Sequence, residues 1–160
     1  MRDFVREAVF SMLADRARGA KVLDLFAGSG SLGLEALSRG AAEAVFVDRG
    51  REPLRIIREN LDTLGMSDRG VVIRAEILDY LRKARFPDRP FNLIFIDPPF
   101  RIDVKYRQEM LKSLAEGGFL APSAVVVMEA PLRSSPPGPP EGVHFRERRK
   151  YGESPVDVYV

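Results

Sequence analysis

The chain alternates between short continuous apolar runs and longer segments in which apolar residues recur every three or four positions. Continuous runs are typical of strands buried on both faces, and the longer spacing is typical of amphipathic helices. Because strands and helices alternate, the pattern predicts a parallel sheet covered by helices on both faces. Strands are predicted at 21–26, 44–48, 71–75, 92–97 and 124–129, and helices at 3–15, 31–39, 51–64, 78–84 and 104–115.

The alternation stops near residue 133. Residues 134–142 (SSPPGPPEG) contain four prolines and are predicted to form a stiff loop. The two strand-like stretches that follow, 143–149 and 155–160, have no helix between them, so they are predicted to pair antiparallel at one edge of the sheet. No repeat or shift in composition marks a boundary, and residues 1–160 are predicted to form a single α/β domain.

Composition excludes several kinds of site. The chain has no cysteine and one histidine, which excludes disulfides, thiolate metal sites, cysteine nucleophiles and metal sites with several histidines from one chain. No apolar run approaches the roughly 18 residues of a membrane-spanning helix, and the charged start is unlike a signal peptide, so we expect a cytoplasmic protein without membrane contact. The net charge of +2 permits a nucleic-acid partner without requiring one.

A glycine-rich segment follows the first predicted strand. Gly28, Gly30 and Gly33 lie where that strand leads into a helix, and glycines there allow a tight turn and the close approach of a ligand. With Asp48 at the end of the second predicted strand, this spacing also fits the fingerprint of dinucleotide-binding proteins. The glycines therefore leave two ligands open, a nicotinamide dinucleotide and S-adenosylmethionine.

Acidic residues near the ends of the first three predicted strands favour one of the two. Asp24, Asp48 and Glu76 are expected at the carboxyl edge of the sheet, where ligands of such folds bind. Asp24 could fix the loop backbone or, through water, hold a cationic amine. A pyrophosphate gains nothing from that negative charge, whereas S-adenosylmethionine carries an ammonium and a sulfonium group.

The tetrad Asp97-Pro98-Pro99-Phe100 ends the fourth predicted strand. Two prolines stop the strand and stiffen its exit, so the Asp97 carboxylate and the Pro98 carbonyl are expected in a fixed relation. Each can accept one N–H of an exocyclic amine and so direct its lone pair at a methyl group, while Phe100 stacks on the base. Methylation at C5 of a pyrimidine ordinarily uses a cysteine, so a nitrogen acceptor is favoured.

Three segments together resemble the bacterial 16S ribosomal RNA guanine-N2 methyltransferases: residues 24–36 (DLFAGSGSLGLEA), the tetrad 97–100 and the upstream 5–10 (VREAVF). Lys150-Tyr151-Gly152 fits the C-terminal strands of that family, and the resemblance covers nearly the whole chain. It implies a Rossmann-like class I methyltransferase fold: a mostly parallel seven-strand sheet, helices on both faces and an antiparallel C-terminal strand pair. It also implies S-adenosylmethionine as cofactor and, as partner, 16S ribosomal RNA in the small ribosomal subunit or its assembly intermediate.

Family members usually carry a further N-terminal stretch with an Arg-Pro-Thr-like segment before the position of Val5, which this sequence does not show; either the chain is a shorter member or its start is truncated. If that stretch grips RNA, its loss affects substrate binding and leaves cofactor binding intact. We expect a monomer. The resemblance assigns the target base to Asp97, Pro98 and Phe100, and the cofactor to Asp24, Ala27, Gly28, Ser29, Gly30, Asp48, Arg49, Glu76, Ile77 and Asp97.

No separate RNA-binding domain fits in the chain, so loops around the crevice are expected to contact RNA. The candidates are basic residues after the tetrad and near the C-terminus, and the alternative for each is a solvated surface charge: Arg101, Lys105, Arg107, Arg146, Arg148, Arg149 and Lys150.

Two other functions stay open. The first keeps the chemistry and changes the acceptor to an adenine or cytosine amine in DNA or RNA, or to a protein glutamine. The second is a nicotinamide-dinucleotide-binding protein, either an oxidoreductase or a module that senses a cofactor without catalysis.

Overall fold

The computed structural model describes residues 1–99 and 101–160; Phe100, the predicted base-stacking residue, lies outside them. The strands are β1 (Lys21–Leu25), β2 (Glu43–Asp48), β3 (Gly70–Arg74), β4 (Phe91–Ile96), β5 (Leu120–Glu129), β6 (Phe145–Tyr151) and β7 (Ser154–Tyr159). The helices are α1 (Asp3–Leu13), α2 (Ser31–Ser38), α3 (Arg51–Thr63), α4 (Ile77–Lys83) and α5 (Val104–Glu116). Two short 3₁₀ helices, Ala14–Ala17 and Ser67–Arg69, were not predicted.

All seven strands form one sheet in the order β3-β2-β1-β4-β5-β7-β6. Strands β1 to β5 run parallel, and β7 is antiparallel to both β5 and β6. The Rossmann-like fold class and the antiparallel C-terminal pair are thus confirmed. The chain reverses its direction of winding between β1 and β4, and in open parallel sheets ligands bind outside the strand ends at such a point.

Helices cover both faces of the sheet, as the alternation predicts. On one face, α1, α2 and α3 pack around Phe10, Phe46 and Phe95. On the other face, α4 and α5 pack around Phe91 and Phe119. Alternate residues of the central strand enter opposite cores, Val22 in the first and Leu23 in the second, so β1 is buried on both sides. This burial fixes the strand ends that carry the candidate site.

Strands β5 and β6 differ most from the prediction, and the other strand boundaries agree to within one residue. Strand β5 begins at Leu120 rather than residue 124, because its first residues pair with β4 ahead of an irregularity that shifts the register between Phe91 and Leu93. Pro122 and Ser123, the latter with φ +63°, hide this start from an apolar pattern. Strand β6 spans residues 145–151 rather than 143–149. In the described residues, no helix is both long and apolar enough to cross a membrane.

Candidate active site

A cavity of about 1160 Å³ opens at the carboxyl ends of the parallel strands. This is slightly above the usual range of small-molecule sites, roughly 300–1,000 Å³, and leaves room for more than one ligand group. Its walls come from the loop after β1, the ends of β2 and β4, the β3–α4 connection and α5. The predicted site residues that line it are Gly28, Asp48, Arg49, Glu76, Ile77, Asp97, Pro98 and Arg101.

Asp48 joins two loops at one wall of the cavity. Its Oδ2 accepts the Gly28 N–H at 2.9 Å, and its Oδ1 accepts the Gly50 N–H at 2.8 Å. Gly28 has φ +56°, a left-handed conformation that a glycine adopts without steric cost. Because each carboxylate oxygen has two lone pairs, Asp48 can still accept a hydrogen bond from a ligand hydroxyl group.

The other two glycines of the motif serve helix packing rather than the cavity wall. A Cβ added at Gly33 would lie 2.3 Å from Phe46 Cε1, and one at Gly30 would lie 2.9 Å from Ile57 Cγ1. The N-terminus of α2 therefore lies close against β2 and α3. Among the residues with described positions, the predicted cofactor residues Asp24, Ala27, Ser29 and Gly30 do not line the cavity.

Asp24 lies beneath the glycine loop and is 1% exposed. Its Oδ2 accepts the Gly33 N–H at 3.0 Å, so the carboxyl group does fix the loop backbone. Its Oδ1 is buried and finds no donor among the described residues. Burial raises the pKa of Asp24 to about 8, against the lowering effect of the Gly33 N–H. A buried carboxyl group with a free acceptor would gain from a nearby cation, which favours its ionised form.

Glu76 is the N-cap of α4 and accepts the N–H groups of Leu78 and Asp79, each at 3.1 Å. Its Oε2 also accepts a hydrogen bond from the Tyr106 hydroxyl group. Burial alone would raise the pKa of Glu76, but the Tyr106 hydroxyl and the backbone N–H groups lower it below its ordinary value. Glu76 is therefore an ionised, firmly held carboxylate at this end of the cavity.

Tyr106, from α5, was not among the predicted site residues. It lines the cavity, and its ring centroid lies 6.4 Å from that of Phe26, another lining residue. The two rings form an apolar wall beside Glu76. Helical spacing gives no sign of this role, because Tyr106 reaches the cavity only once α5 packs against α4.

Asp97 faces the opposite end of the cavity, directly after β4. The main-chain nitrogen of Met1 lies 2.6 Å from Asp97 Oδ2 and 4.0 Å from Glu129 Oε2. Pro98 follows as a buried residue that lines the cavity, so the strand exit is rigid there.

Glu129, the last residue of β5, is a second carboxyl group at this end and was not predicted. It is 5% exposed and lines the cavity beside Asp97. Burial and the adjacent Asp97 raise the pKa of Glu129 to about 7, against the lowering effects of the Met1 nitrogen and Ser154. The sequence does carry one signal for it, a carboxylate that ends an apolar run, as Asp97 does.

The predicted RNA-contacting residues divide into exposed and buried groups. Arg101, Lys105, Arg146 and Lys150 are exposed, and Arg101 lies at the cavity. Arg149 is partly exposed, with its Nε 3.1 Å from Glu147. For these five residues, contact with RNA phosphates stays a prediction.

Two of the predicted basic residues are engaged inside the protein instead. Arg107 is 2% exposed and donates to the carbonyl oxygens of Ile102 at 3.2 Å and Glu129 at 3.1 Å, so the expectation that it contacts RNA is wrong. Its role is to tie the segment after the tetrad to the end of β5. Arg148 forms a two-pronged ion pair with buried Asp157 at 2.6 and 2.9 Å, which leaves its guanidinium little freedom to meet a phosphate.

Known proteins resemble this chain over nearly its whole length. It is 33% identical to the putative rRNA methyltransferase YlbH of Bacillus subtilis, over 98% of this chain and 84% of that protein. It is 34% identical to the ribosomal RNA small subunit methyltransferase D of Escherichia coli strain K12, over 98% of this chain and 76% of that protein.

The fold is similar to that of the putative methyltransferase yhhF from Escherichia coli, with a TM-score of 0.89 and 33% identity over 99% of this chain and 86% of that one. Residues 1–160 also match the protein family described as Conserved hypothetical protein 95. The resemblance to bacterial ribosomal RNA methyltransferases is thus confirmed, and the chain belongs to the Conserved hypothetical protein 95 family.

Proposed function

We propose that this protein is an S-adenosylmethionine-dependent methyltransferase that modifies the exocyclic N2 amine of a guanine in small-subunit ribosomal RNA. The observation that carries the proposal is that Asp97 and Pro98, at the exit of β4, line the same cavity as Gly28 and Asp48. One end of the cavity suits an amine acceptor, and the other end suits a nucleoside cofactor.

The residues at the cofactor end fit S-adenosylmethionine. Asp48 has acceptor capacity for ribose hydroxyls, and Glu76, Ile77, Phe26 and Tyr106 form a part-apolar wall for an adenine ring. The unpartnered Oδ1 of Asp24 suits a cationic amine held through a water molecule. A pyrophosphate would meet only negative charge there, which argues against a nicotinamide dinucleotide. S-adenosylmethionine supplies an electrophilic methyl group.

The base end of the site acts by orientation. The Asp97 carboxylate and the Pro98 carbonyl each accept one N–H of the amine, which turns its lone pair away from the ring and toward the cofactor end. The rigid strand exit keeps both acceptors in place before the substrate arrives, so little reorganisation is needed. Asp97 need not be a strong base, because the amine nitrogen becomes acidic once it has attacked.

The names of the relatives favour ribosomal RNA over DNA or protein as the acceptor. Exposed Arg101 lies at the cavity, next to the tetrad in sequence, where it can bind a phosphate. A particle containing small-subunit RNA, with no membrane component, is therefore the partner we expect, and a monomer suffices for every residue role proposed.

Replacing Asp97 tests the proposal. With unmodified small ribosomal subunits and methyl-labelled cofactor, Asp97→Ala should lower the rate of methyl transfer by at least 100-fold and leave cofactor affinity within a few-fold. Asp88→Ala, a matched change at an exposed loop residue, should transfer methyl groups like the parent. Undiminished transfer by Asp97→Ala would rule out the proposed role of this carboxylate.

A further inference from the structure

We propose that Glu129 is a specificity-determining residue that accepts the N1–H of the target guanine while Asp97 accepts from its N2 amine. The proposal rests on the function proposed above and adds a residue that distinguishes guanine from the other candidate acceptors.

The sheet places the two carboxyl groups side by side. Ile96 of β4 pairs with Met128 of β5, so Asp97 and Glu129 follow paired residues on neighbouring parallel strands. Both line the base end of the cavity. The Met1 nitrogen lies 2.6 Å from Asp97 Oδ2 and 4.0 Å from Glu129 Oε2, so these two carboxyl oxygens are close together.

Glu129 is held more firmly than a surface glutamate. Its side chain is 5% exposed, its carbonyl oxygen accepts from Arg107 Nη1 at 3.1 Å, and it pairs with Val156 of β7. The fixed main chain and the burial of the side chain limit the positions that this carboxyl group can take. Discrimination by such buried polar groups is strong, since a mismatched ligand leaves them unpaired.

Among the candidate acceptors, guanine alone fits two adjacent carboxylates. Its N1–H and its N2 amine are neighbouring donors on one edge. Adenine places an acceptor nitrogen, N1, beside its N6 amine, and cytosine places N3 beside its N4 amine. A glutamine amide has a carbonyl oxygen beside its NH₂ group. In each of these three an ionised Glu129 would face a lone pair.

The ionisation state of Glu129 decides whether it accepts or donates. The groups that face it are Asp97 from β4, the Met1 nitrogen ahead of α1, Ser154 from β7 and, at its main chain, Arg107 from α5. Burial and Asp97 outweigh the lowering effects of the Met1 nitrogen and Ser154, so the pKa of Glu129 is raised to about 7. Above this pH the carboxylate accepts the N1–H. Below it the protonated acid can donate its O–H to the adjacent Asp97, so the pair offers guanine fewer acceptors. Transfer to guanine should therefore fall as the pH drops through about 7.

The test compares the parent with Glu129→Gln and with a matched control, Glu109→Gln, at an exposed residue of α5. Initial rates of methyl transfer to unmodified small subunits are measured between about pH 5.5 and 9 at saturating cofactor, and the labelled nucleoside is identified at each pH. We expect the parent and the control to rise through pH 7 to a plateau. Glu129→Gln should lose the rise through pH 7. It should also fall at least tenfold in kcat/KM for subunits at pH 8, with melting temperature and cofactor affinity kept, because its neutral amide oxygen is a weaker acceptor than a carboxylate and its NH₂ group is a competing donor.

A second variant guards against misfolding. Glu129→Asp keeps an ionisable acceptor, so it should retain a pH-dependent rise and transfer faster than Glu129→Gln. Glu129→Gln activity equal to that of the parent, or a parent rate that falls above pH 7, would overturn the proposal while N2-methylguanosine in the parent still supports the proposed function. Label on another base in the parent would overturn both.

Discussion

Replacing Asp24 by asparagine should remove a pH dependence of cofactor binding. Asn keeps an oxygen that can accept the Gly33 N–H, so the loop contact at 3.0 Å survives while the ionisable group is lost. Burial holds the pKa of Asp24 near 8 in the free protein, so a cationic ligand must bind together with loss of a proton from this carboxyl group. Affinity should therefore rise with pH until about pH 8.

The size of the effect follows from the fraction of Asp24 that is ionised. With a pKa of about 8, half of the molecules are ionised at pH 8 and about one in a hundred at pH 6. Binding through the ionised form is thus weaker by about 2 kcal/mol at pH 6, which is about 50-fold in Kd. Asp24→Asn should show none of this slope.

Calorimetric titration with S-adenosylhomocysteine at pH 6, 7 and 8 measures the slope directly. Asp68→Asn, at an exposed residue, is the matched control and should follow the parent. A parent affinity that does not change with pH, or an equal slope in Asp24→Asn, would refute the assignment of a cation to this carboxyl group.

The raised pKa of Asp24 also predicts how the free energy of unfolding changes with pH. The pKa of Asp24 is higher in the folded chain than the unfolded value of 3.8, so the folded state binds more protons between about pH 4 and 8. Stability from this group is present at low pH and is lost as the pH rises, by up to about 1.4 kcal/mol per pH unit. The melting temperature of Asp24→Asn relative to the parent should therefore increase from pH 5 to pH 8, and a decrease would contradict the raised pKa.

Three further predictions concern packing, the cofactor wall and RNA. Gly33→Ala would place a Cβ 2.3 Å from the buried Phe46 ring, so thermal melting should show a loss of about 1–3 kcal/mol, and an unchanged melting temperature would contradict the close approach. Tyr106→Phe removes the hydroxyl donor to Glu76 and should raise the KM for the cofactor with kcat kept; a fall in kcat alone would place Tyr106 elsewhere in the reaction. Methyl transfer to subunits should fall steeply with KCl while cofactor affinity stays nearly constant, because only the RNA contacts release counterions; a salt-independent rate would argue against phosphate contacts.

The parts of this site that depend on local residue patterns can be predicted from the sequence. The strand-to-helix glycine loop, Asp48 at the end of the second strand and the Asp97-Pro98 exit each follow from residue types within a few positions of one another. The parallel sheet then brings these strand ends to one edge, so their common cavity could be predicted as well.

The missed features depend on which elements become neighbours in space. Glu129 matters because β5 lies next to β4, and Tyr106 matters because α5 packs beside α4. Neither adjacency follows from the residues around these side chains. Contacts across the sheet and between helices therefore complete the site that the strand-end motifs begin.

The burial of Arg107, by contrast, is indicated by the sequence around it. Arg107 lies three, four and seven residues before Met110, Leu111 and Leu114, on the buried face of α5. Helical spacing therefore places its guanidinium toward the core, where it donates to main-chain carbonyl groups. The positive charge of Arg107 is compatible with RNA contact, but its position on the apolar face of α5 predicts a buried side chain.

Identification of the methylated nucleoside tests the central claim most directly. Small ribosomal subunits that lack the modification are incubated with the protein and methyl-labelled S-adenosylmethionine, the RNA is digested, and the labelled nucleosides are separated. The site described here predicts label in N2-methylguanosine alone, with none when Asp97→Ala replaces the parent. Label in N6-methyladenosine, in N4-methylcytidine or in ribosomal protein would contradict it.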